Sequence, residues 1–263
     1  MGLIIVLIIL SIIFSVGFYF IPISSWFMFL WVPVAIILAA VCIVLFVLAY
    51  LFLCKKDNPK GKFRHFLLRN ACFLTIKYNH IKPTIVGLEN INKDDTYVIY
   101  ANHKSMLDPV IMYHEMHIIC TAIGKSDLFT NKIMIAIKDT FGAISLNRNN
   151  TREAVLSINE GIEKLKGGLS IIIFPEGGIL TRDEETMSGL RAGAYKLATK
   201  SKRSILPVSI IGSSNIAKLP RRKRKNVKVI VHKPINYEDF KDMNTNEIGL
   251  KVETIINGDF NEK

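Results

Sequence analysis

The hydrophobic positions of this chain fall into two regimes. Residues 2–21 form a near-continuous run of Leu, Ile, Val and Phe, and residues 26–53 form a second, with Pro22-Ile23-Ser24-Ser25 between them. A helix of roughly 20 such residues covers ~30 Å of hydrocarbon, so the pattern predicts two apolar helices. Beyond residue 60 the apolar positions come in short segments of alternating kind. Strands are predicted over 84–88, 96–100, 118–123, 169–174, 205–211 and 227–231, with one more short strand inside 141–148. Helices are predicted over 109–116, 131–138, 151–166 and 189–200. The clearest is 151–166. Asn150 offers a cap, Ala154, Val155, Ile158, Ile162 and Leu165 share a face, and Gly167-Gly168 supplies a stop. Strands alternating with helices predict an α/β domain, a layered mixed sheet with helices. Function in such folds gathers beyond the strand ends.

Residues 62–78 place Phe63, Phe66, Leu67, Ala71, Leu74 and Tyr78 at helical spacing among Lys62, Arg64, Arg69 and Lys77. Two destinations fit such a helix, an anionic surface or the domain core, and one helix can serve both. The expected organisation is therefore a membrane-binding two-helix segment at 1–54, a basic juxtamembrane helix at 55–82 and the main domain at 83–263.

Charge sharpens this division. Residues 1–54 contain no Lys, Arg, Asp or Glu, so the net charge of +12 lies wholly in the remainder. Trp26 and Trp31 stand near the start of the second run, as interfacial aromatics do. There is no basic stretch before the first run and no clear small-residue cleavage site, which argues against a secretory signal. Lys55, Lys56, Lys60, Lys62, Arg64 and Arg69 place the main domain on the cytoplasmic face of a membrane. Whether the runs cross the bilayer or dip into one leaflet stays open. The four cysteines, Cys42, Cys54, Cys72 and Cys120, have no paired spacing, which argues against a disulfide framework.

Candidate chemistry begins at Asn102-His103-Lys104-Ser105-Met106-Leu107-Asp108-Pro109. Five steps on a regular helix would turn Asp108 away from His103. Asp108 as N-cap with Pro109 at the first helical position would instead leave His103 on the preceding loop, within reach of the carboxylate. An Asp holding one imidazole nitrogen leaves the other as a general base. The plain alternative is a helix cap beside a loop histidine. Further on, the apolar run 169–174 ends in Pro175-Glu176-Gly177-Gly178, where glycines let backbone amides approach an anion, or simply end a strand. Arg148 closes the short strand after Gly142, as a phosphate fork or a solvated side chain. Pro207 interrupts an apolar strand and belongs at an edge or a bulge. His114 and His117 are spaced like metal ligands, but an exposed helix pair accounts for them, and no metal is expected.

Taken in order, these stretches resemble the glycerolipid acyltransferase family, whose signature is a histidine and an aspartate separated by four residues. The closest resemblance is to its 1-acyl-glycerol-3-phosphate acyltransferases. The first motif, N-H-x-S-x-x-D, is matched by Asn102, His103, Ser105 and Asp108, and G-x-I-x-x-x-R by Gly142, Ile144 and Arg148. Lys125, Asp127 and Leu128 match an intervening lysine-x-acid-leucine element, and Phe174, Pro175, Glu176 and Gly177 begin the motif F-P-E-G-T-R. Arg191, Gly193 and Ala194 match a basic-x-glycine-alanine element, and Leu206, Pro207 and Val208 the last motif. One departure stands out. Gly178 and Ile179 occupy the positions of the family's Thr-Arg, and the next arginine is Arg182.

The resemblance implies acyl transfer from acyl-coenzyme A or acyl carrier protein to the free hydroxyl of lysophosphatidic acid. His103 would be the base and Asp108 its orienting partner. Lys125 and Arg148 would hold the phosphate, Glu176, Gly177 and Gly178 would shape the pocket, and Arg182 would replace the missing arginine. The thioester is a co-substrate, and no cofactor is implied. Expected partners are membrane lipids, lysophosphatidic acid and the acyl donor. Glycerol-3-phosphate or another lysolipid is the alternative acceptor. A reading of a different class is a membrane-tethered binder of anionic lipid or nucleic acid, suggested by Arg221-Arg222-Lys223-Arg224-Lys225. That run lacks the interleaved aromatics on which bases stack, so nucleic acid is not expected as a partner.

Overall fold

A computed structural model describes residues 2–19, 28–53, 61–189 and 191–261. The break at 22–25, Trp26, Cys54, Lys55, Lys56, Lys60 and the boundary at 54–55 lie outside these residues, as does the side chain of Trp31. The two apolar runs form α1 (Gly2–Tyr19) and α2 (Met28–Leu53), which pack on each other. Pro33 lies inside α2 near its start, where the lost amide donor disturbs only the first turns. Ile5, Ile8, Ile12 and Ile13 of α1 and Ile37 and Leu45 of α2 are exposed. Among the residues described, no helix is long and apolar enough to cross a membrane.

The remaining elements are α3 (Lys62–Tyr78), β1 (Ile81–Val86), β2 (Tyr97–Ala101), α4 (Asp108–Glu115), β3 (Cys120–Lys125), α5 (Lys132–Phe141) and β4 (Ile144–Leu146). They are followed by α6 (Thr151–Lys166), β5 (Ser170–Ile173), α7 (Ala192–Ser201), β6 (Ser204–Ile211), α8 (Asn215–Lys218), β7 (Lys225–Val231) and α9 (Thr245–Asn261). The Asn150 side chain caps α6 as expected, accepting from the amides of Arg152 and Glu153. Gly168, in the left-handed region, turns the chain into β5.

The strands form one mixed sheet in the order β1-β7-β6-β2-β5-β3-β4. All neighbours are parallel except β6 and β7. The alternation of side chains along the strands divides the core in two. Val98, Tyr100, Ile171, Ile173 and Ile205 face Ile162 and Leu165 of α6, Leu197 of α7 and Val252 and Ile256 of α9. Tyr97, Ile99, Ile172, Leu206 and Val229 face Cys72 and Ile76 of α3 and Ile111 and Met112 of α4. The sheet is thus a middle layer covered on both faces, and each fully buried aliphatic side chain stabilises it by roughly 1.5–3 kcal/mol.

Two expectations resolve in instructive ways. The helix α3 reaches the core with one face and leaves the other uncovered: Leu67, Cys72 and Ile76 are buried, while Phe63, Phe66, Leu74 and Tyr78 are exposed. Pro207 sits on an interior strand, yet at a bulge. Val208 pairs with Val231, and Pro207 O accepts the His232 amide at 3.0 Å, but the next bridge joins Ile205 to Ile235. The partner strand has gained one residue there, so the amide that proline lacks falls where the ladder slips. Cys42, Cys72 and Cys120 are free thiols, and burial pushes those of Cys72 and Cys120 up to about 12.

Candidate active site

Four neighbouring parallel strands, β2, β5, β3 and β4, deliver the candidate residues at their carboxyl ends. His103 follows β2, Glu176 and Gly177 follow β5, Lys125 ends β3 and Arg148 follows β4. Residues scattered over more than seventy positions therefore stand in one row at one edge of the sheet, the usual position for a site in an open α/β fold.

His103 Nδ1 lies 3.0 Å from Asp108 Oδ2. A carboxylate only accepts, so Nδ1 carries the proton and Nε2 is left with its lone pair. The His103 side chain lines the cavity, and its ring stacks on Phe174 with centroids 4.1 Å apart. Asp108 is fully buried. It is the first residue of α4 rather than the expected cap, and Leu107 takes the cap position. The reason is visible in its bonds: Oδ2 also accepts the amides of Lys104 and Ser105, each at 2.8 Å. The carboxylate points back into the loop and fixes it, instead of capping the helix ahead.

Glu176 is buried at 1% exposure and does not line the cavity. Its Oε1 accepts the His103 amide at 2.8 Å, and its Oε2 pairs with Lys104 Nζ at 2.8 Å. Burial pushes its carboxyl above the ordinary range, while Lys104 and the His103 amide pull it back. Glu176 thus acts through the loop that carries His103, by way of Lys104, a residue that sequence reasoning passed over. Its position inside the first motif was the available signal. Asn102 anchors the other side of the loop, donating to the carbonyls of Ile210 and Glu185 and accepting the Ile210 amide at 2.7 Å.

A cavity of about 1160 Å³ opens beside His103. Ile123, Leu128, Phe129, Leu146 and Ile158 give it apolar walls, and Lys125, Arg148 and Arg191 supply charge. Lys125 pairs with Asp127 and lowers its carboxyl. Arg148 and Arg191 converge over the turn at Gly177, which has φ +79°. A Cβ there would overlap the Arg191 guanidinium and stand 3.1 Å from Arg148 Nη1. Burial, and then the charge of Arg191, hold Arg148 below the usual arginine range. Its Nε is buried with no hydrogen-bond partner. Neither guanidinium has a carboxylate partner among the described residues. Two such cations side by side make a receptor for a doubly charged anion.

Gly178 also lines the cavity, whereas Arg182 is exposed and stands outside its lining. Arg191, rather than Arg182, stands beside Gly177 in the cavity. It had been legible as a motif position, but thirteen residues separate it from Gly177, and only the folded excursion between them, closed by Arg191 N–H donating to Pro175 O at 3.1 Å, joins the two. His114 pairs with Glu115, and His117 with Arg69. Among the described residues no group of three or more His, Cys, Asp or Glu is placed to hold a metal ion.

Residues 82–211 match the family model described as Acyltransferase. A chloroplastic 1-acyl-sn-glycerol-3-phosphate acyltransferase of Arabidopsis thaliana is 31% identical over 77% of this chain and 57% of its own length. A second chloroplastic enzyme so named, from Brassica napus, is 30% identical over 85% of this chain and 65% of its own. The chain thus spans under two thirds of these two relatives. A probable 1-acyl-sn-glycerol-3-phosphate acyltransferase of Mycoplasma pneumoniae is 27% identical over 74% of this chain and 76% of its own. The crystal structure of the 1-acyl-sn-glycerophosphate acyltransferase of Thermotoga maritima shares the fold, with a TM-score of 0.65 and 20% identity over 97% of each chain.

Proposed function

The chain belongs to the acyltransferase family, and from that membership we propose that it moves an acyl group from a coenzyme A or acyl-carrier-protein thioester to the free hydroxyl of 1-acyl-glycerol-3-phosphate, giving phosphatidic acid. The observation that carries the reading is the histidine–aspartate pair at 3.0 Å sharing one cavity with the two arginines at Gly177.

An alcohol is a weak nucleophile until a base takes its proton. His103 Nε2 takes it as the oxygen attacks the thioester carbonyl, and Asp108 steadies the imidazolium that forms. Collapse of the tetrahedral intermediate breaks the carbon–sulfur bond, and the departing thiolate recovers the proton from Nε2. Arg148 and Arg191, with Lys125, bind the acceptor's phosphate and hold its hydroxyl near His103. The apolar walls receive the acyl chain.

The acceptor's tail keeps it in a bilayer, and the same reading seats α1 and α2 in that bilayer with the domain on its cytoplasmic face. Supporting it are the absence of charge in residues 1–54 and the exposed aliphatic side chains of both helices. The exposed apolar face of α3 extends the contact. Arg221 stands 4.3 Å over the Tyr78 ring, joining that face to the basic run that follows α8. Lys225 does not contribute to this surface, because it is buried and donates to the carbonyls of Asn79, Pro220, Arg221 and Lys223.

The test is a product assay. Purified protein in anionic vesicles is given acyl-coenzyme A or acyl carrier protein with lysophosphatidic acid, glycerol-3-phosphate or other lysolipids, and the product is identified by mass. Phosphatidic acid is expected. Release of an acylated product from glycerol-3-phosphate alone would reassign the acceptor.

A further inference from the structure

The cavity extends well beyond the catalytic groups. From His103 and Gly177 it follows the groove between α6 and α7, past Gly193, to Lys166, Lys196 and Lys200. Gly193, Lys196 and Lys200 recur at helical spacing along one side of α7, and Asn159, Glu163 and Lys166 along the facing side of α6. A Cβ at Gly193 would meet nothing within 4 Å, so the groove is open where it leaves the catalytic end. Counting from Arg191, the helical rise sets Lys196 about 7 Å and Lys200 about 13 Å further along. Lys166 closes α6 just before β5 begins, at the end of the strand remote from Glu176.

These lysines are a second cationic group, too far along the groove to share one phosphate with Arg148 and Arg191. Lys166 pairs with Glu163 at 2.9 Å, but Lys196 and Lys200 have no carboxylate partner among the described residues. They also lie on the sheet face covered by α6, α7 and α9, opposite the face on which α3 and α4 pack. The exposed apolar face of α3 lies on that other layer, so a ligand entering along the α6–α7 groove need not cross it. Such a ligand must place a thioester at His103 and an anion more than a helix turn away, with a narrow uncharged arm between.

We propose that Lys166, Lys196 and Lys200 bind the phosphate end of the phosphopantetheine arm that carries the acyl thioester, the arm lying along the α6–α7 groove. This rests on the reading of the protein as an acyltransferase and assigns its donor side. Coenzyme A and acyl carrier protein share this phosphate, so the two sources are separated by experiment. Acceptor and donor then enter from opposite layers of the sheet and meet at His103.

The test uses the full chain in vesicles with three donors of one acyl length: acyl-coenzyme A, acyl carrier protein and the acyl N-acetylcysteamine thioester, which has no phosphate. Replacing Lys166, Lys196 and Lys200 together by Gln should raise KM for the phosphopantetheine donor about tenfold or more, the scale of losing one or two charge-assisted contacts. Turnover of the N-acetylcysteamine thioester and KM for the acceptor should stay within about twofold, and Arg at the three positions should restore the donor KM. A rise confined to one carrier identifies the source of the phosphate. An equal loss with all three donors, or no loss with either carrier, overturns the proposal. Binding of coenzyme A and of holo carrier protein, measured calorimetrically without acceptor, reads the groove independently of turnover. Unchanged affinities in the triple variant overturn it, whereas a wild-type protein that binds a carrier but transfers nothing overturns the activity instead.

Discussion

Lys104 Nζ and Glu176 Oε2 meet at 2.8 Å with both side chains fully buried, directly behind the loop that presents His103. The other Glu176 oxygen holds the His103 amide. This pair links the ends of β2 and β5 and sets where the histidine stands. Removing one member strands the other as a buried charge, at about 3–5 kcal/mol. Lys104→Met should therefore lower stability by that order, read from the shift in urea midpoint of the detergent-solubilised protein. The double variant Lys104→Met, Glu176→Gln should recover much of that stability. A single Lys104→Met variant as stable as the parent would show that the pair does not act as described.

The orienting role of Asp108 separates from its charge. Its Oδ2 accepts two backbone amides as well as His103 Nδ1, so the oxygen of an asparagine would take the same place and keep the imidazole tautomer. What Asp108→Asn removes is the negative charge beside the developing imidazolium. Turnover should fall by about 10²-fold, at the low end of what a positioned base contributes, with acceptor KM little changed. Asp108→Ala, which also frees the loop, should fall further.

Phosphate recognition should belong to Arg191 and not to Arg182. Arg191→Ala should raise the acceptor KM about tenfold while the donor KM holds, since its guanidinium meets Arg148 at the Gly177 turn. Arg182→Ala, at an exposed position off the cavity, should leave both within about twofold. The reverse pattern would return the role to Arg182.

Gly177→Ala tests the same turn from the backbone. A side chain there is strained at φ +79° and displaces Arg191. Cost in stability should be about 1–3 kcal/mol, and acceptor KM should rise with it. Gly178→Ala, whose nearest approach is Arg148 Nη1 at 3.9 Å, should be mild by comparison.

Salt should separate the two membrane attachments. Full-length protein should stay with vesicles at 1 M salt, where the Debye length is ~3 Å, because insertion of α1 and α2 does not depend on charge. A chain beginning at Gly61 should bind anionic vesicles at low salt and release as salt rises. Extraction of the full-length protein by salt alone would contradict the seating of α1 and α2.

Much of the sheet was legible because its central strands are short, rich in β-branched residues and buried, and because 151–166 carries its own cap and stop. The last helix, α9, went unread: its fully buried apolar side chains are Ile248, Val252 and Ile256, a thin stripe in a polar segment. Its signal was local, since Asn244 and Glu247 exchange amide bonds as a capping box. At the site, His103, Asp108, Lys125 and Arg148 were legible as types at spacings. Lys104 was not, because a lysine in a loop reads as solvated until a buried carboxylate is found beside it. Arg191 was legible as a motif position but not as the neighbour of Gly177 and Arg148, because an excursion whose path no local pattern specifies lies between.

Single-turnover product formation by His103→Ala decides whether His103 serves as base for acyl transfer to a lysophospholipid hydroxyl. Purified wild-type and variant protein, matched for vesicle binding and unfolding midpoint, are mixed with acyl donor and lysophosphatidic acid, and phosphatidic acid is quantified by mass. Rapid product is expected from the wild type and a loss of about 10²–10⁴-fold in the variant, with both substrates still bound. Wild-type-like phosphatidic acid formation by pure His103→Ala protein would contradict that role.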